Sequence, residues 1–323
     1  MVSSQIESEE KSLRIIFMGT PDFASSNLRA LLAGPDQVVA VVTQPDRPKG
    51  RGKKLTSPPV KVIAEEAGLP VLQPTKVRTD EFLEALAAYA PDLIVVTAYG
   101  RILPKPILDL APLGCINVHG SLLPKYRGAA PIQWAVIQGD DEVGVTTMQM
   151  DEGMDTGDIL LRKIIIPSPD ETAGTLFDKL AELGTSALLE TIEGLKKGTI
   201  RAEAQDHAQA TEAPMLSKND GLIDWSRTAT ELESLIRGMD PWPSAFCFLE
   251  GKRLRLFMPE VSYQKTDAQP GAVLRAGRDG LLIATGKNCL LVKEIQPEGK
   301  KRMTVEAFLC GAKIGAETVL KTT

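Results

Sequence analysis

The residues best suited to chemistry lie in the stretch 114–128, where an apolar run ends in polar side chains and glycines. Within it Asn117 and His119 stand two residues apart, so an extended chain places both side chains on the same side. An uncharged amide donor beside a side chain that titrates near neutrality suits a reaction in which an oxyanion develops while a proton moves. The stretch therefore predicts a strand end that carries chemistry. A half-buried histidine that only satisfies its own hydrogen bonds is the competing interpretation.

A second candidate group is the acidic, glycine-bearing loop of residues 151–158, which joins two predicted strands. Its spacing lacks the pattern and the terminal Glu of an EF-hand, which argues against a calcium site. The loop can instead give one carboxylate to His119. For Asp155 the alternative is a carboxylate that only caps its own turn, because Asp side chains commonly hold turns together.

Cysteine and histidine usage gives little support to a metal centre or a redox couple. The sequence has no Cys-x-x-Cys pair, and its two histidines are His119 and His207. We expect four reduced thiols, at Cys115, Cys247, Cys289 and Cys310. Residues 19–23 lack the Gly-x-Gly-x-x-Gly of a dinucleotide turn, so a nicotinamide cofactor is not predicted either.

The composition predicts a cytoplasmic protein without a membrane span. No apolar run approaches the ~20 residues that a span requires, and residues 1–11 read as a loose leader without the basic-then-apolar order of a signal peptide. The net charge is −5, but residues 216–323 hold 16 Lys and Arg against 13 Asp and Glu. This net of +3 leaves −8 for residues 1–215, so a basic C-terminal region follows an acidic body.

Within the acidic body, five cations fall in eight residues, at Arg47, Lys49, Arg51, Lys53 and Lys54. Two glycines and a proline interrupt the run, which makes it a poor core element and a flexible one. Arg and Lys are the side chains that contact nucleic-acid phosphates, and the run follows a predicted strand end. A solvated charge run is the competing interpretation.

Alternating strands and helices are predicted to position these groups. Apolar runs indicate strands at residues 13–19, 38–43, 71–72, 93–98, 115–119, 143–150 and 159–166. Helical spacing indicates helices at residues 21–32, 59–67, 81–89, 130–138 and 172–197. This order predicts an α/β fold with a mostly parallel, Rossmann-like sheet, helices on both faces and ligands outside the carboxyl ends of the strands.

After residue 198 the pattern changes. Residues 199–215 show no apolar periodicity and predict a linker. A short helix at 231–239 and short strands follow, at residues 245–249, 253–258, 272–274, 281–284 and 289–295. They indicate a small OB-like β-barrel, a fold that often contacts oligonucleotides and in other proteins serves only for packing. The predicted domains are residues 13–198 and 216–320.

Several segments give the chain, apart from its first residues, a specific resemblance to the methionyl-tRNA formyltransferase family. They are RIIFMGTPDFA (14–24), TQPDRPKGRGKK (43–54), NVHGSLLPKYRG (117–128), MDTGD (154–158) and DPWP (240–243). The resemblance implies a formyltransferase domain followed by an OB-like barrel. It also implies transfer of the formyl group of 10-formyltetrahydrofolate to the α-amino group of methionine on initiator tRNA, without a metal.

The resemblance further implies which residues do this. Asn117, His119 and Asp155 would be catalytic: the first two stabilise the oxyanion, and Asp155 orients His119 and accepts the proton of the amine. The basic run would engage the tRNA acceptor stem, with Arg51 as its most important member. The folate-binding segment, which by itself could be a plain turn, would be Ser121, Leu122, Leu123 and Pro124, with exposed backbone groups lining a pocket for the pterin.

Two other functions stay open at this point. A formyltransferase acting on a small amine, such as a nucleotide sugar or a purine precursor, would share the Asn-x-His motif and the distant Asp. The basic run and the basic C-terminal region argue against it. A non-catalytic RNA-binding protein with a decayed folate domain is opposed by the intact trio. We expect a monomer.

Overall fold

The computed structural model of the chain describes residues 12–49, 54–312, 314–315 and 317–322. The predicted leader, Arg51 and Lys53 lie outside these residues. The chain forms two compact units. The first comprises residues 1–129, 144–164 and 178–212, and the second comprises residues 130–143, 165–177 and 213–323.

Short strands and helices alternate along the first two thirds of the chain. The strands are β1 (Arg14–Gly19), β2 (Gln37–Val42), β3 (Arg47–Lys49), β4 (Lys54–Thr56), β5 (Val71–Leu72), β6 (Leu93–Thr97), β7 (Cys115–His119), β8 (Arg127–Gly128), β9 (Val143–Gln149), β10 (Ile159–Ile165) and β11 (Glu212–Ala213). The helices are α1 (Asp22–Ala33), α2 (Pro59–Glu66), α3 (Asp80–Ala87), α4 (Lys105–Leu108), α5 (Pro131–Gln138) and α6 (Ala173–Lys197). All the strands and helices predicted before residue 198 occur, with ends within two residues of the prediction.

Seven of these strands form one sheet, in the order β10-β9-β7-β6-β1-β2-β5. The pairs β1–β2, β1–β6, β2–β5 and β6–β7 are parallel, and β7–β9 is antiparallel. The central strands are buried along nearly their whole length, as expected for a parallel sheet covered on both faces. The predicted mostly parallel α/β fold is therefore confirmed.

β7 occupies the position in the sheet that matters most for the candidate site. It lies between β6 and β9, with Asn117 opposite Val96 on one side and His119 opposite Thr146 on the other. α6 packs close to this strand, because a Cβ added at Gly184 would stand 3.1 Å from a methyl group of Val118. The carboxyl end of β7 is thus fixed by neighbours on both edges and by a helix above it.

Local sequence signals explain where several helices begin and end. The Thr79 hydroxyl accepts a hydrogen bond of 3.3 Å from the backbone N–H of Phe82 and so caps α3. α2 starts with Pro59, whose missing N–H is not needed at a first helical position. Gly68 and Gly139 follow α2 and α5 with φ of 69° and 71°, the left-handed conformation in which helices commonly end.

The segment 199–215, predicted as a linker, contains structure of its own. A short 3₁₀ helix spans His207–Gln209, and Glu203 and Ile159 exchange two backbone hydrogen bonds of 2.8 and 2.9 Å. The backbone N–H of Arg127 donates to the carbonyl of Thr211 at 2.8 Å. These contacts use the backbone, which leaves no apolar periodicity in the sequence to reveal them. The segment predicted as a linker therefore also carries hydrogen bonds to the first unit.

The second unit is built on an antiparallel sheet. Its strands are β12 (Phe246–Leu249), β13 (Lys252–Ser262), β14 (Val273–Gly277), β15 (Gly280–Ala284), β16 (Cys289–Pro297) and β17 (Met303–Thr304), and its later helices are α7 (Ala229–Met239) and α8 (Val305–Leu309). The strand order is β12-β13-β16-β15-β14, with β17 on β16. An antiparallel sheet domain thus follows the α/β domain, as predicted.

This unit also includes chain that precedes residue 198, because α5 packs against α7. Ile137 of α5 shares a buried core with Leu235 and Ile236 of α7. Gly238 allows the close approach, since a Cβ there would stand 2.4 Å from Ile137 Cγ1. A division by chain order alone could not anticipate this packing. None of the helices in the described ranges is long and apolar enough to cross a membrane.

Candidate active site

The carboxyl end of β7 brings together the three side chains that the sequence singled out. Asn117 and His119 are 8% and 6% exposed, and both face Asp155 of the loop 151–158. Asn117 Nδ2 donates to Asp155 Oδ1 at 3.4 Å, and His119 Nδ1 lies 3.6 Å from Asp155 Oδ2. The second distance is an electrostatic contact rather than a hydrogen bond. The predicted convergence of an amide, an imidazole and a carboxylate is present.

The hydrogen bonding of the ring decides which nitrogen of His119 faces the site. Nε2 lies 2.9 Å from the carbonyl oxygen of Tyr126, which can only accept, so Nε2 carries a hydrogen and donates it. Nδ1 is therefore the nitrogen that faces Asp155. The Asn117 amide has two N–H groups and gives one to Asp155. The second amide N–H and Nδ1 are left to act on a bound molecule.

Asp155 is held in an uncommon backbone conformation. Its φ is +55°, a left-handed value that costs a residue with a Cβ about 1–3 kcal/mol and persists only where surrounding contacts fix it. Two contacts do so: the backbone N–H of Gly128 donates to Oδ2 at 2.9 Å, and the side chain of Gln205 donates to the Asp155 carbonyl at 2.9 Å. Gly128 ends the motif that begins at Asn117. The carboxylate is thus tied to the segment that follows its partners in the chain.

Gln205 is the residue that sequence reasoning missed. It is buried, its Nε2 also donates to the carbonyl of Gly157 at 2.7 Å, and its Oε1 accepts two hydrogen bonds from Arg127, at 2.6 and 3.2 Å. A single glutamine in a polar, alanine-rich segment gives no signal of burial in one sequence. The structure reveals its role, because it shows an amide whose donors and acceptor are all hydrogen-bonded beside the candidate carboxylate.

The segment predicted to bind folate, Ser121, Leu122, Leu123 and Pro124, directly follows His119 and the glycine after it. The Thr146 hydroxyl donates to the Ser121 carbonyl at 2.7 Å and accepts from the Leu123 N–H at 3.1 Å. The Leu123 side chain packs in a small buried cluster with Met148 and Ile159. These two backbone groups are therefore occupied, unlike the exposed groups that were expected, while Leu122 and Pro124 are partly exposed.

The described ends of the basic run form a β-hairpin. β3 pairs with β4 in antiparallel register, with Arg47 opposite Thr56 and Lys49 opposite Lys54. Arg47 is exposed, and its guanidinium donates to Gln44 Oε1 at 3.4 Å. The middle of the run, for which flexibility was predicted, lies outside the described residues.

Two cavities lie close to these elements. One of about 500 Å³ is lined by the apolar Leu83 and Ile102, by the cations Arg78 and Lys105, and by Glu152 of the Asp155 loop. The other, of about 250 Å³, lies at the ends of β1 and β2 beside Arg47. Neither is lined by Asn117 or His119. The sequence predicted neither cavity, because their walls come from residues far apart in the chain.

Thiolate chemistry does not fit the site. Cys115 starts the same strand as Asn117 and His119, but its burial raises the pKa of its thiol to about 12. A thiol with that pKa is not ionised near neutrality and is a poor nucleophile. In the part of the chain that the structure describes, no group of three or more His, Cys, Asp and Glu side chains is placed to hold a metal ion. The groups left for chemistry are an amide, an imidazole and a carboxylate.

Comparison with known proteins covers both units. A family model described as formyl transferase matches residues 13–192, and one described as formyl transferase, C-terminal domain, matches residues 215–313. A curated relative from Geotalea uraniireducens, named methionyl-tRNA formyltransferase, is 51% identical over 308 residues, 95% of this chain and 98% of its own length. One of the same name from Acetivibrio thermocellus is 50% identical over 309 residues, 95% of this chain and 99% of its own.

A solved structure with the same fold has little sequence in common with the chain. The N-formyltransferase from Helicobacter canadensis, solved in complex with folinic acid and dTDP-3-aminofucose, matches with a TM-score of 0.64 at 15% identity. The match covers 90% of this chain and 100% of that one. At this identity the likeness concerns the fold alone.

Proposed function

The chain belongs to the methionyl-tRNA formyltransferase family, and we propose that Asn117, His119 and Asp155 carry out the reaction of that family in it. The reaction transfers the formyl group of 10-formyltetrahydrofolate to the α-amino group of methionyl initiator tRNA. The product, N-formylmethionyl-tRNA, serves translation initiation. The observation that carries the proposal is the meeting of the Asn117 amide and His119 Nδ1 at Asp155.

The first step is attack of the neutral amine on the formyl carbon. A C–N bond forms, and the C=O electron pair moves to the formyl oxygen as negative charge. The free N–H of Asn117 and protonated Nδ1 of His119 donate to that oxygen, and each such donor contributes about 10²–10³ in rate in enzymes of this kind. Both donors are fixed in a buried strand before substrate binds, so no reorganisation is needed when the charge appears.

The second step moves protons and breaks the bond to folate. The attacking amine has become a cation, and Asp155 accepts one of its protons directly or through a water molecule. The oxyanion then re-forms the carbonyl, the bond between the formyl carbon and N10 of the folate breaks, and N10 takes the proton that Asp155 accepted from the amine, which returns Asp155 to its carboxylate form. The products are the formylated amine and tetrahydrofolate.

Folate is proposed to lie along the turn that follows β7. The proposed contacts are Ser121, Leu122, Leu123 and Pro124, of which the partly exposed Leu122 and Pro124 are available to a ligand. The 500 Å³ cavity beside the Asp155 loop combines apolar walls with Arg78 and Lys105. This lining suits the ring and the carboxylates of a folate tail.

Initiator tRNA is proposed to bind the basic run and the basic C-terminal unit. Arg47, Lys49, Arg51, Lys53 and Lys54 supply phosphate contacts to the acceptor stem, with Arg51 the most important. The net charge of +3 on residues 216–323 favours a second region of contact with the same polyanion. The protein is further proposed to act in the cytoplasm. It is also proposed to be a monomer, and light scattering of the purified protein would test this oligomeric state.

One assay separates this function from its nearest alternative. Purified protein is supplied with 10-formyltetrahydrofolate and, side by side, methionyl-tRNA, a nucleotide-linked amino sugar and a purine-precursor amine. Formylation of methionyl-tRNA alone is the expected result. Preferential formylation of a free amine would contradict the proposal and identify a small-amine formyltransferase.

A further inference from the structure

The buried amide of Gln205 connects the two halves of the candidate site, and it reaches Asp155 through the backbone rather than through the carboxylate. Its Nε2 donates to the backbone carbonyls of Asp155 and Gly157, at 2.9 and 2.7 Å. Both N–H groups of the amide are thereby used on one loop. Because these bonds reach the backbone on both sides of Thr156, they fix the course of the loop at Asp155.

The other end of the same amide reaches the chain that follows His119. Gln205 Oε1 accepts from Arg127 Nη2 at 2.6 Å and from Arg127 Nε at 3.2 Å. Arg127 stands between Tyr126, whose carbonyl accepts from His119 Nε2, and Gly128, whose N–H donates to Asp155 Oδ2. One side chain thus connects the loop that carries the carboxylate with the turn that orients the imidazole.

The segment around Gln205 is itself anchored on both sides. Glu203 exchanges backbone hydrogen bonds with Ile159, next to the Asp155 loop. The Thr211 carbonyl accepts from the Arg127 N–H at 2.8 Å, and the Thr211 hydroxyl accepts from the Tyr126 N–H at 2.8 Å. Gln205 therefore lies in a segment, residues 203–211, that is hydrogen-bonded to both parts of the site.

We propose that Gln205 is a positioning residue, which sets the place of the Asp155 carboxylate relative to His119 and acts on the reaction only through it. The proposal rests on the proposed function, because it presumes that Asp155 accepts the proton of the amine. The 3.6 Å between His119 Nδ1 and Asp155 Oδ2 is just beyond hydrogen-bond range, so a small displacement of the loop makes or breaks that contact. Such a displacement alters proton transfer more than it alters binding, so the effect belongs in kcat.

Two replacements separate the polar role from the volume of the side chain. Gln205→Met keeps the length and removes every hydrogen bond. Gln205→Glu keeps the contact with Arg127 but faces the carbonyls of Asp155 and Gly157 with oxygen atoms that cannot donate when ionised. We expect kcat to fall about 10²-fold in both, the cost of misplacing a catalytic group by roughly 1 Å. The KM values for folate and for methionyl-tRNA should change less than about threefold by the same reasoning.

The matched control is Gln138→Glu, which makes the same chemical change at an exposed glutamine of α5. Gln138 belongs to neither the loop nor the turn that Gln205 connects. Folding of every variant is checked by thermal melting and by folate titration. If Gln205→Glu fails to fold, Gln205→Met and the shorter amide variant Gln205→Asn carry the test.

A double-mutant cycle with Asp155→Asn distinguishes positioning from a general structural role. If Gln205 acts through the Asp155 charge, Gln205→Met costs about 10²-fold in the wild-type background and almost nothing in Asp155→Asn. An equal loss of kcat in both backgrounds, or a folded Gln205→Met with wild-type kcat, would overturn the proposal.

The same cycle reports separately on the proposed function. If Asp155→Asn by itself retains wild-type kcat, Asp155 does not take the proton and the proposed function is wrong at that residue. If Asp155→Asn loses activity while Gln205→Met does not, only the role of Gln205 is wrong. The two failures therefore cannot be confused.

Discussion

The two halves of the candidate site are held in different ways. Asn117 and His119 belong to β7, whose register with β6 and β9 fixes their positions through backbone hydrogen bonds. Asp155 lies in a loop with a φ of +55° and owes its place to Gly128 and Gln205, which are distant in sequence. The side chains of a strand are held in place by the hydrogen bonding of the whole sheet. A loop residue is held only by the few contacts that it makes itself.

This difference suggests how the site divides its work. The oxyanion donors must be in place before charge develops, and a buried strand provides that at no further cost. A proton acceptor must reach the substrate amine, whose position in the site can vary. A loop that is held by a few separate contacts lets the carboxylate adjust its position to the amine. The strand half should therefore be insensitive to changes elsewhere, and the loop half sensitive to them.

Loss of the strand-held imidazole should have the largest effect. His119→Ala removes the Nδ1 donor and is expected to lower kcat by about 10³-fold, at the upper end for one such donor. Folate binding should change little, whereas the melting temperature should fall, because loss of the buried ring leaves a cavity and removes the hydrogen bond to the Tyr126 carbonyl. Single-turnover formylation of methionyl-tRNA measures the rate.

The control for this variant is His207→Ala, which removes the other histidine, an exposed one whose Nδ1 accepts from Arg127 Nη2 at 3.0 Å. Arg127 keeps its two hydrogen bonds to Gln205 in this variant, so activity should stay near that of the wild type. A folded His119→Ala protein with near-normal turnover would exclude His119 from the chemistry.

Loss of the loop-held charge should come next. Asp155→Asn keeps the shape but removes the base and replaces one of the two acceptor oxygens by an N–H donor, so kcat should fall about 10²-fold while folate affinity is retained. Asp158→Asn, at an exposed aspartate of the same loop, is the matched control and should be close to wild type. Weakened folate binding with normal turnover at saturation would make Asp155 a binding residue instead.

The contrast between strand and loop also explains what the sequence could predict. The alternation along β7 was enough to pair Asn117 with His119, and apolar periodicity located the sheet that holds them. Asp155 was assigned through the family motif, since nothing local sets its distance from His119. Gln205 escaped detection because burial by long-range hydrogen bonds leaves no pattern in neighbouring residues.

The same reason accounts for the other differences. Ile137 and Gly238 bring α5 and α7 of the second unit together by a close contact that only the folded chain displays. The segment 121–124 was expected to offer exposed backbone groups, but the hydroxyl of Thr146, on β9, bonds both the Ser121 carbonyl and the Leu123 N–H. Periodicity predicts which elements form, and their mutual contacts decide which polar groups stay available.

Changes in the basic run should affect binding rather than chemistry. Neutralising Arg51, Lys53 and Lys54 together should raise KM for methionyl-tRNA and leave kcat nearly unchanged. It should also flatten the salt dependence of kcat/KM by roughly one unit of slope for each phosphate that is no longer neutralised. A variant lacking Arg29, Lys76 and Lys179, three exposed cations elsewhere, controls for total charge. If the salt dependence of kcat/KM has the same slope in the wild type and in this triple variant, the run does not bind RNA.

The smallest effect concerns the thiols. Cys115, Cys247 and Cys289 are buried, and burial raises the pKa of Cys115 to about 12, whereas Cys310 is exposed. Alkylation of the native protein near neutral pH should label Cys310 alone and leave formylation unchanged, and denaturant should expose the remaining thiols. Rapid labelling of Cys115 in the native protein would mean that β7 opens, against the fixed strand described above.

The most direct test of the account is whether the strand-held and loop-held groups act as one catalytic unit. Single-turnover rates at saturating 10-formyltetrahydrofolate and methionyl-tRNA are measured for wild type, His119→Ala, Asp155→Asn and the double variant. Residues that act as a unit are non-additive, so the double variant should be no slower than His119→Ala within about threefold. A double variant whose loss is the product of the two single losses would mean that the two groups act independently, and would contradict the account.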